Sequence, residues 1–376
     1  MTVEHIDTLL SEMVASKASD LYLTFGSTPT LRVGDALVPC GTDALSDKDI
    51  EHYLEQILTP DQQDEYQATL ELNTALNRSN DARFRVNVFR QQSHSGMVIR
   101  RIEVDIPTLD SLHLPPMYGE LILKKRGLIL LVGPTGSGKS TSLAAMIGHR
   151  NTHGSGHIIT VEDPIEFVHH HNQCIITQRD VGLDTYSYAI ALKNALRQRP
   201  DLIVIGEIRD REVMEQAIHF AETSHLCVAT LHANNSSQAI ERVLGFFPKE
   251  RHSQILLNLS LNLQAILSQR LIQTSMGARV LAREIMLNRG LIRQLIEDGK
   301  VAQIREMIEK GNSEGMHTFD QHLFELFNRN LISEEEALAE SDSPANLRLA
   351  ISTSKSYITG KVTLKQQQFT PKHSDF

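Results

Sequence analysis

Cysteine, long apolar runs and basic charge are all scarce in this sequence, and each scarcity excludes a class of protein. The three cysteines, Cys40, Cys174 and Cys227, are far apart and form no C-x-x-C pair, which argues against a disulfide framework or a local zinc site. No segment approaches the ~20 apolar residues of a membrane-spanning helix, and no basic stretch followed by an apolar one opens the chain. The formal net charge of -9 disfavours a protein that coats nucleic acid. We therefore expect free thiols in a reducing cytoplasm, no transmembrane segment, no nucleic-acid partner, and a membrane role only through partner proteins.

The composition is that of a globular protein with more than one domain. At 376 residues, with 41% hydrophobic and 22% charged positions, the chain can bury a substantial core in two or three domains. We expect a small α/β domain over 1–105, a proline-containing linker over 106–116 and a larger α/β domain over 117–350. The tail 351–376 lacks apolar periodicity, and we expect it to be mobile.

Strict alternation over 83–89 predicts a strand in the small domain that is buried on one face. Its three inner apolar residues face a core, so Arg83 and Arg85 share the opposite face. The next predicted strand, which begins at Met97, carries Arg100 and Arg101. A solvated outer face is an equally good explanation of these arginines when the pattern is taken alone.

Apolar runs alternate with helical patterns in the larger domain, as in nucleotide-binding α/β folds. The predicted strands cover 128–132, 157–161, 202–205 and 226–231. Further along, 255–271 and 290–308 carry apolar residues at helical spacing, and we predict amphipathic helices there.

The sequence Gly-Pro-Thr-Gly-Ser-Gly-Lys-Ser at 133–140 follows the first of these strands and opens a helical pattern, which is the context of a phosphate-binding P-loop. Its glycines allow backbone N–H groups to turn inward on a phosphate. Lys139 supplies a cation for the β- and γ-phosphates, and Ser140 a hydroxyl for Mg²⁺. A chance glycine turn before a helix does not explain a motif with every fixed position filled. The residues expected to bind nucleotide are Gly133, Pro134, Thr135, Gly136, Ser137, Gly138, Lys139, Ser140 and Thr141.

Carboxylates follow two of the predicted strands, where ligands bind in such sheets. Glu162, Asp163 and Glu166 come after the strand 157–161 and could hold Mg²⁺ through water and polarise the attacking water, although a turn with solvated acids is the simpler alternative. Glu207 ends a second apolar strand in the Walker B arrangement, and we expect it at the Mg²⁺ site.

Histidines form two further groups. His225 and His232 flank the strand 226–231. Each could be structural, but next to a P-loop the functional interpretation is that an imidazole senses the γ-phosphate or holds a catalytic carboxylate. The run His169-His170-His171 stands in a polar stretch, and its role stays open.

These blocks together resemble the type II/IV secretion ATPases, and more narrowly the type IV pilus retraction ATPases of twitching motility. The matching motifs are the Walker A sequence 133–140, the Asp box 160–167, the Walker B sequence 206–210 and the His box 221–225 with 230–235. The amino-acid sequence in and around these motifs is more similar to that of the accessory, PilU-type members than to that of the principal, PilT-type ones. The sequence Gly290–Glu297 only approximates a PilT-type motif, and Ser224 stands where the family usually has glycine.

The resemblance implies an α/β protein with a PAS-like N-terminal domain and a RecA-like P-loop ATPase domain, assembled as a homohexamer. It implies ATP and Mg²⁺ as ligands, and an ATP-driven motor acting in the cytoplasm at the inner membrane. The implied partners are an inner-membrane pilus platform protein and a PilT-like retraction ATPase. The implied catalytic residues are Glu166, Glu207, Arg85, Arg100, His232 and His225, and the metal residues are Ser140, Glu162, Asp163 and Glu207.

Three other functions are alternatives to the retraction motor. A pilus-assembly or secretion-export ATPase usually carries a four-cysteine zinc insertion, and no C-x-x-C pair occurs here. A regulatory subunit that binds nucleotide but hydrolyses little is disfavoured by the intact Lys139, Glu166 and Glu207. A nucleic-acid translocase would need a basic channel, which the acidic balance disfavours.

Overall fold

The computed structural model describes residues 5–34, 36–77, 83–102, 104–277 and 279–354. These residues form two units. The first contains those up to Leu112 together with Ile147–Pro200, and the second contains His113–Met146 and those from Asp201 onward. Residues 147–200, which the sequence assigned to the larger domain, thus cluster with the N-terminal part of the chain.

Helices and strands alternate through both units. Up to residue 102 they are α1 (Ile6–Ala15), β1 (Asp20–Thr24), β2 (Thr30–Val33), β3 (Ala36–Pro39), α2 (Asp47–Ile57), α3 (Pro60–Thr69), β4 (Glu71–Asn77), β5 (Arg83–Gln91) and β6 (His94–Ile102). Then follow α4 (Met117–Ile122), β7 (Gly127–Val132), α5 (Lys139–His153), β8 (Gly156–Glu162), β9 (Cys174–Asp180) and α6 (Tyr188–Ala195). The rest are β10 (Leu202–Ile205), α7 (Arg211–Glu222), β11 (Leu226–Leu231), α8 (Ser236–Gly245), α9 (His252–Asn262), β12 (Leu263–Gln273), β13 (Arg279–Leu287), α10 (Gly290–Glu297), α11 (Ile304–Lys310), α12 (Phe319–Asn328) and α13 (Glu334–Ala339).

The first unit contains an antiparallel sheet in the order β3-β2-β1-β6-β5-β4. Its apolar face packs on α1 and α2 in one core. Phe84, Val86 and Val88 on β5 are at most 1% exposed, which confirms that the predicted alternation of this strand has one buried face. A parallel pair, β8 and β9, also lies in this unit.

The second unit contains strands in the order β13-β12-β7-β11-β10, with β12, β7, β11 and β10 mutually parallel. Every residue of β7, β10 and β11 is buried. Burial on both faces explains why these strands are continuous apolar runs rather than alternating ones. The predicted strands over 128–132, 202–205 and 226–231 are confirmed, and the one over 157–161 lies within β8.

The predicted helix over 255–271 is wrong in its second half. Helix α9 ends at Asn262, and β12 begins at Leu263 between β7 and β13. A short apolar run such as Ala265-Ile266-Leu267 is compatible with either a buried strand or a buried helix, because it shows no periodicity. Pairing with the neighbouring strands makes it a strand. The predicted helix over 290–308 is interrupted: α10 ends at Glu297, Gly299 adopts a φ of +70°, and α11 starts at Ile304.

The last described residues, 344–354, are helical, so the predicted domain end at residue 350 falls inside a helix. Ile351 on this helix is 1% exposed and packs with Phe319 and Leu323 of α12. The remainder of the predicted tail, 355–376, lies outside the described residues. Within the part of the chain that the structure describes, no helix combines the length and apolar character needed to cross a membrane.

Candidate nucleotide-binding site

The loop between β7 and α5 closes tightly on itself. A Cβ atom at Gly133 would lie 2.4 Å from both the Gln269 carbonyl oxygen and Ser137 Oγ, so only glycine fits. Gly136 and Gly138 adopt φ angles of +77° and +87°, which favour glycine. Such a loop, leading directly into a helix N-terminus, points backbone N–H groups and the positive end of the helix dipole at one place.

Lys139 lies folded back over this loop. Its Nζ donates to the carbonyl oxygens of Gly133 at 2.9 Å and Pro134 at 2.8 Å, and the residue is only 9% exposed. Ser137 Oγ is buried without a hydrogen-bond partner among the described residues. A cation, a buried hydroxyl and the loop N–H groups form a donor set that fits a phosphate group. Ser140 and Thr141, on the first turn of α5, are partly buried.

Glu207 and His232 lie at the same edge of the sheet as this loop. The register of β7, β11 and β10 places their carboxyl ends side by side, so the residues after Val132, Leu231 and Ile205 are neighbours. His232 Nε2 lies 2.6 Å from Glu207 Oε1, and Arg209 Nε donates to Glu207 Oε2 at 2.6 Å. Glu207 is thus held on both carboxylate oxygens.

His225 is not part of this arrangement. It precedes Leu226, which pairs with Gly127 at the amino end of β7. Six residues of extended strand separate it from His232, a distance of about 20 Å. His225 Nδ1 lies 3.1 Å from Thr223 Oγ1 instead, and a catalytic role for His225 stays a prediction.

Glu162 is the last residue of β8 in the first unit. Its Oε1 accepts from Thr160 Oγ1 at 2.7 Å and from Gln178 Nε2 at 3.3 Å. Burial raises the pKa of Glu162 to about 7, against the lowering effect of these two hydrogen bonds, and the nearby Glu166 raises it further. The carboxyl group therefore sits at the border between its neutral and charged forms near neutral pH.

Asp163 and Glu166 follow Glu162 in the same unit. Arg85 Nη2 lies 4.0 Å from Asp163 Oδ1, with both side chains less than a third exposed. Glu166 is exposed. Burial raises the pKa of Asp180, which accepts from the backbone N–H of Ile165 at 3.2 Å and so fixes the turn that carries these acids.

Arg100 is anchored by a buried carboxylate. Its Nε donates to Asp20 Oδ1 at 2.8 Å; the Arg100 side chain is 64% exposed, whereas that of Asp20 is 6% exposed. Arg100 pairs with both Asp20 on β1 and Arg85 on β5, so the three residues form one row on the polar face of the sheet. The prediction that Arg83 and Arg85 share the face opposite the buried residues of β5 is confirmed.

The three histidines at 169–171 differ in burial: His169 is buried, and the other two are exposed. Burial, and to a lesser degree the charge of His170, lowers the pKa of His169 to about 4. His171 Nδ1 accepts from the backbone N–H of Ile176 at 3.1 Å. No group of three His, Cys, Asp or Glu side chains among the described residues is arranged to hold a metal ion.

Comparison with known proteins assigns the family. A family described as "Type II/IV secretion system protein" matches residues 64–355. The chain belongs to this family. It is 48% identical to the type IV pilus ATPase PilU of Pseudomonas aeruginosa over 91% of this chain and 90% of that protein. It is 39% identical to PilT of the same organism, described as a type IV pilus retraction ATPase, over 91% of this chain and 99% of that one.

A solved structure gives the same assignment. The crystal structure of the pilus retraction motor PilT with bound ADP superposes with a TM-score of 0.86 at 36% identity, covering 92% of this chain and 99% of that one. This confirms the predicted class: a mixed α/β protein of the secretion ATPase family, with an N-terminal domain and a C-terminal ATPase domain.

Sequence reasoning missed several residues that surround the family motifs. Asp20 and Gln178 each contact a predicted site residue, but nothing in their local sequence distinguishes them. Arg209 lies within the Walker B sequence, but no role was predicted for it. Arg270 was missed because its segment was predicted as helix. It lies on β12, where it lines a cavity of about 410 Å³ next to Pro134–Ser137.

Proposed function

We propose that this protein is an ATP-hydrolysing motor of the type IV pilus retraction machinery, most similar to the PilU-type accessory retraction ATPase. The observation that carries the proposal is the placement of the loop 133–138, with Lys139, at the same strand edge as the Glu207–His232 pair. The 48% identity to the type IV pilus ATPase PilU over nearly the whole chain supports a role in the pilus machinery, and the 39% identity to PilT, which is named as a retraction ATPase, supports retraction.

In this proposal the second unit holds the phosphates and the metal. The loop N–H groups and Lys139 bind the β- and γ-phosphates of ATP, which requires Lys139 to release the two carbonyls that it now contacts. Ser140 and Glu207 would hold Mg²⁺, which would neutralise charge on the phosphates. His232 fixes the orientation of Glu207 by its 2.6 Å contact.

The remaining roles are proposed for residues of the first unit. Glu166 is the residue that accepts a proton from the attacking water, since it is exposed and its carboxylate is a suitable base. Glu162 and Asp163 would contribute to the Mg²⁺ site through water. Arg85 and Arg100 present guanidinium groups that stabilise charge on the transferred phosphoryl oxygens.

The assembly in which this chemistry does work is also a proposal. We expect a homohexamer in the cytoplasm, held at the inner membrane by a pilus platform protein and acting with a PilT-like ATPase. Relatives that are named as pilus retraction proteins support this, since this chain covers almost their full length.

Complementation of a deletion strain tests the proposal. Strains producing the wild-type chain or Lys139→Ala are compared for twitching, surface pili and ATPase activity of the purified protein. A retraction motor predicts excess surface pili in the deletion and in Lys139→Ala, with phosphate release only from the wild type. Short or absent pili would identify an assembly motor instead. Wild-type protein that binds ATP without turnover would identify a regulatory subunit.

A further inference from the structure

Arg270 on β12 is surrounded by partners on three separate segments. Its guanidinium donates to the carbonyl oxygen of Glu340 and, at 3.3 Å, to that of Asn234, and it pairs with Asp342. Its guanidinium carbon lies 4.0 Å from the centre of the Phe319 ring. The Arg270 and Asp342 side chains are only 13% and 15% exposed, so this is a largely buried ion pair rather than a surface one.

One of the three segments is the loop from His232 to Asn235, which joins β11 to α8. His232 contacts Glu207 at one end of this loop. At the other end, Asn235 donates its Nδ2 to Asp342 Oδ2 at 3.4 Å, and the backbone N–H of Ser236 donates to the buried Glu284 at 2.8 Å. The loop is therefore attached to the nucleotide side of the sheet at its start and to the Arg270–Asp342 pair at its middle and end.

The segment that carries Asp342 is in turn bound to the C-terminal helices. The backbone N–H of Asp342 donates to Asp320 Oδ1 at 2.9 Å, and Ser341 Oγ donates to the same oxygen at 2.6 Å. Asp320 is the second residue of α12 and pairs through its other oxygen with Arg305 of α11. The segment 340–342 is thus fixed to two helices that lie far along the chain from the P-loop.

The cavity beside the P-loop makes this attachment important. The residues Pro134–Ser137, Asn234, Gln238 and Arg270 line the same cavity of about 410 Å³. The contacts of Asn234 with Arg270 and of Asn235 with Asp342 hold the loop 232–235 beside this cavity. Displacements of about 1 Å in catalytic groups are enough to lower turnover by ~100-fold.

We propose that Arg270 and Asp342 are positioning residues: they hold the loop 232–235 so that His232 stays against Glu207, and they couple the C-terminal helices to ATP hydrolysis. The inference rests on the proposed ATPase function. Neither residue touches the reacting atoms; both act through His232. A movement of the segment 340–342 would consequently change the rate of ATP turnover without changing the contacts of the P-loop residues with the phosphates.

The test compares Asp342→Asn with Glu306→Gln in the full chain. Asp342→Asn keeps the shape of the side chain and removes its charge, whereas Glu306→Gln removes the charge of an exposed pair with Lys310 in the same C-terminal region. We expect Asp342→Asn to lower kcat 5- to 20-fold with KM for ATP changed less than twofold, and Glu306→Gln to leave both unchanged. Hydrogen exchange of backbone amides in 232–236 should accelerate in Asp342→Asn only.

A double variant separates positioning from a general loss of stability. If Asp342 acts through His232, then Asp342→Asn combined with His232→Ala should be no slower than His232→Ala alone, because the positioned group is already gone. Arg270→Met should give the same loss and the same non-additivity, which guards against a folding defect in one variant.

Additive losses in the double variants, or exchange rates in 232–236 equal to wild type, would overturn the inference. A wild-type chain that neither binds nor hydrolyses ATP would instead refute the proposed function. The exchange measurement needs no turnover, so the two failures are distinguishable.

Discussion

Arg85 lies directly opposite Arg100 in the β5–β6 ladder, and Asp20 lies opposite Arg100 on its other side. Two cations side by side on one face of a sheet repel each other, which is destabilising unless an anion lies near them. Asp20 contacts Arg100 at 2.8 Å, and Asp163 lies 4.0 Å from Arg85. Both arginines retain N–H groups that a phosphate could accept from, which is the arrangement expected of groups that stabilise phosphoryl transfer.

Removing either arginine should therefore lower turnover far more than binding. We expect Arg100→Ala and Arg85→Ala to lose ATPase activity by on the order of 10³-fold, with nucleotide affinity and oligomerisation little changed, because the contacts strengthen in the transition state. Arg90→Ala, an exposed position on the same β5 strand, is the control. Phosphate release and fluorescent-nucleotide binding measure the two quantities. Wild-type turnover in both variants would show that the arginines are only a solvated strand face.

Replacing Glu166 and replacing Glu207 with glutamine should impair different steps of ATP binding and hydrolysis. Glu166→Gln should bind Mg²⁺-ATP normally and stop hydrolysis, because an amide cannot accept the proton of the attacking water. Glu207→Gln should also weaken Mg²⁺-dependent binding, since Glu207 is held by His232 and Arg209 at the end of β10. Glu250→Gln, an exposed acid of the second unit outside the four motifs, controls for loss of charge. Nucleotide titrations with and without Mg²⁺ distinguish the variants, and normal binding with normal hydrolysis in both would contradict this division of roles.

Stability should fall in mild acid because of buried histidines in the second unit. Burial, with the charge of Arg283, lowers the pKa of His317 to about 4 from the ordinary histidine value of about 6.5. Between these values the unfolded chain binds more protons than the folded one, so the free energy of unfolding decreases as pH falls from 6.5 towards 4. A shift of this size corresponds to about 3 kcal/mol. Urea unfolding at about pH 7 and about pH 5 gives the loss in the free energy of unfolding between the two pH values. We expect this loss to be smaller in His317→Gln than in wild type or in His219→Gln, an exposed control. An unchanged difference would refute the assignment.

Ser224→Gly should stabilise the fold. Ser224 adopts a φ of +68°, a left-handed conformation that costs a residue with a Cβ about 1 kcal/mol or more. Glycine relieves this strain but is more flexible when unfolded, so we expect a net gain of ~0.5–1 kcal/mol in the free energy of unfolding. Asn330→Gly is the matched control, because asparagine at a φ of +56° tolerates this conformation better. Urea titration of both variants decides, and an equal gain at Asn330, or a loss at Ser224, would contradict the expectation.

The same φ concerns the position of the His box where serine stands in place of the glycine implied by the resemblance. Ser224 adopts a left-handed backbone conformation immediately before His225, and glycine would avoid the strain of a Cβ atom there. The departure therefore concerns backbone strain at the amino end of β11. It lies at the opposite end of that strand from His232 and Glu207.

Most of the structure that could be predicted from the sequence alone rests on local patterns of residues. The apolar runs that became β7, β10 and β11, and the glycine-rich loop leading into α5, each specify their structure within a few residues. The alternation in β5 likewise predicted which face is buried. In each case the signal depends only on neighbours in the chain.

Tertiary structure decided what depends on distant partners. Leu263–Gln273 became a strand because β7 and β13 flank it, although its spacing also suited a helix. The direction of β11 placed His232 beside Glu207 and carried His225 about 20 Å away, since a strand separates its two ends by ~3.3 Å per residue. The Arg270–Asp342 pair joins residues 72 positions apart, and no local pattern encodes it, because a buried ion pair is set by the packing that excludes water from both partners.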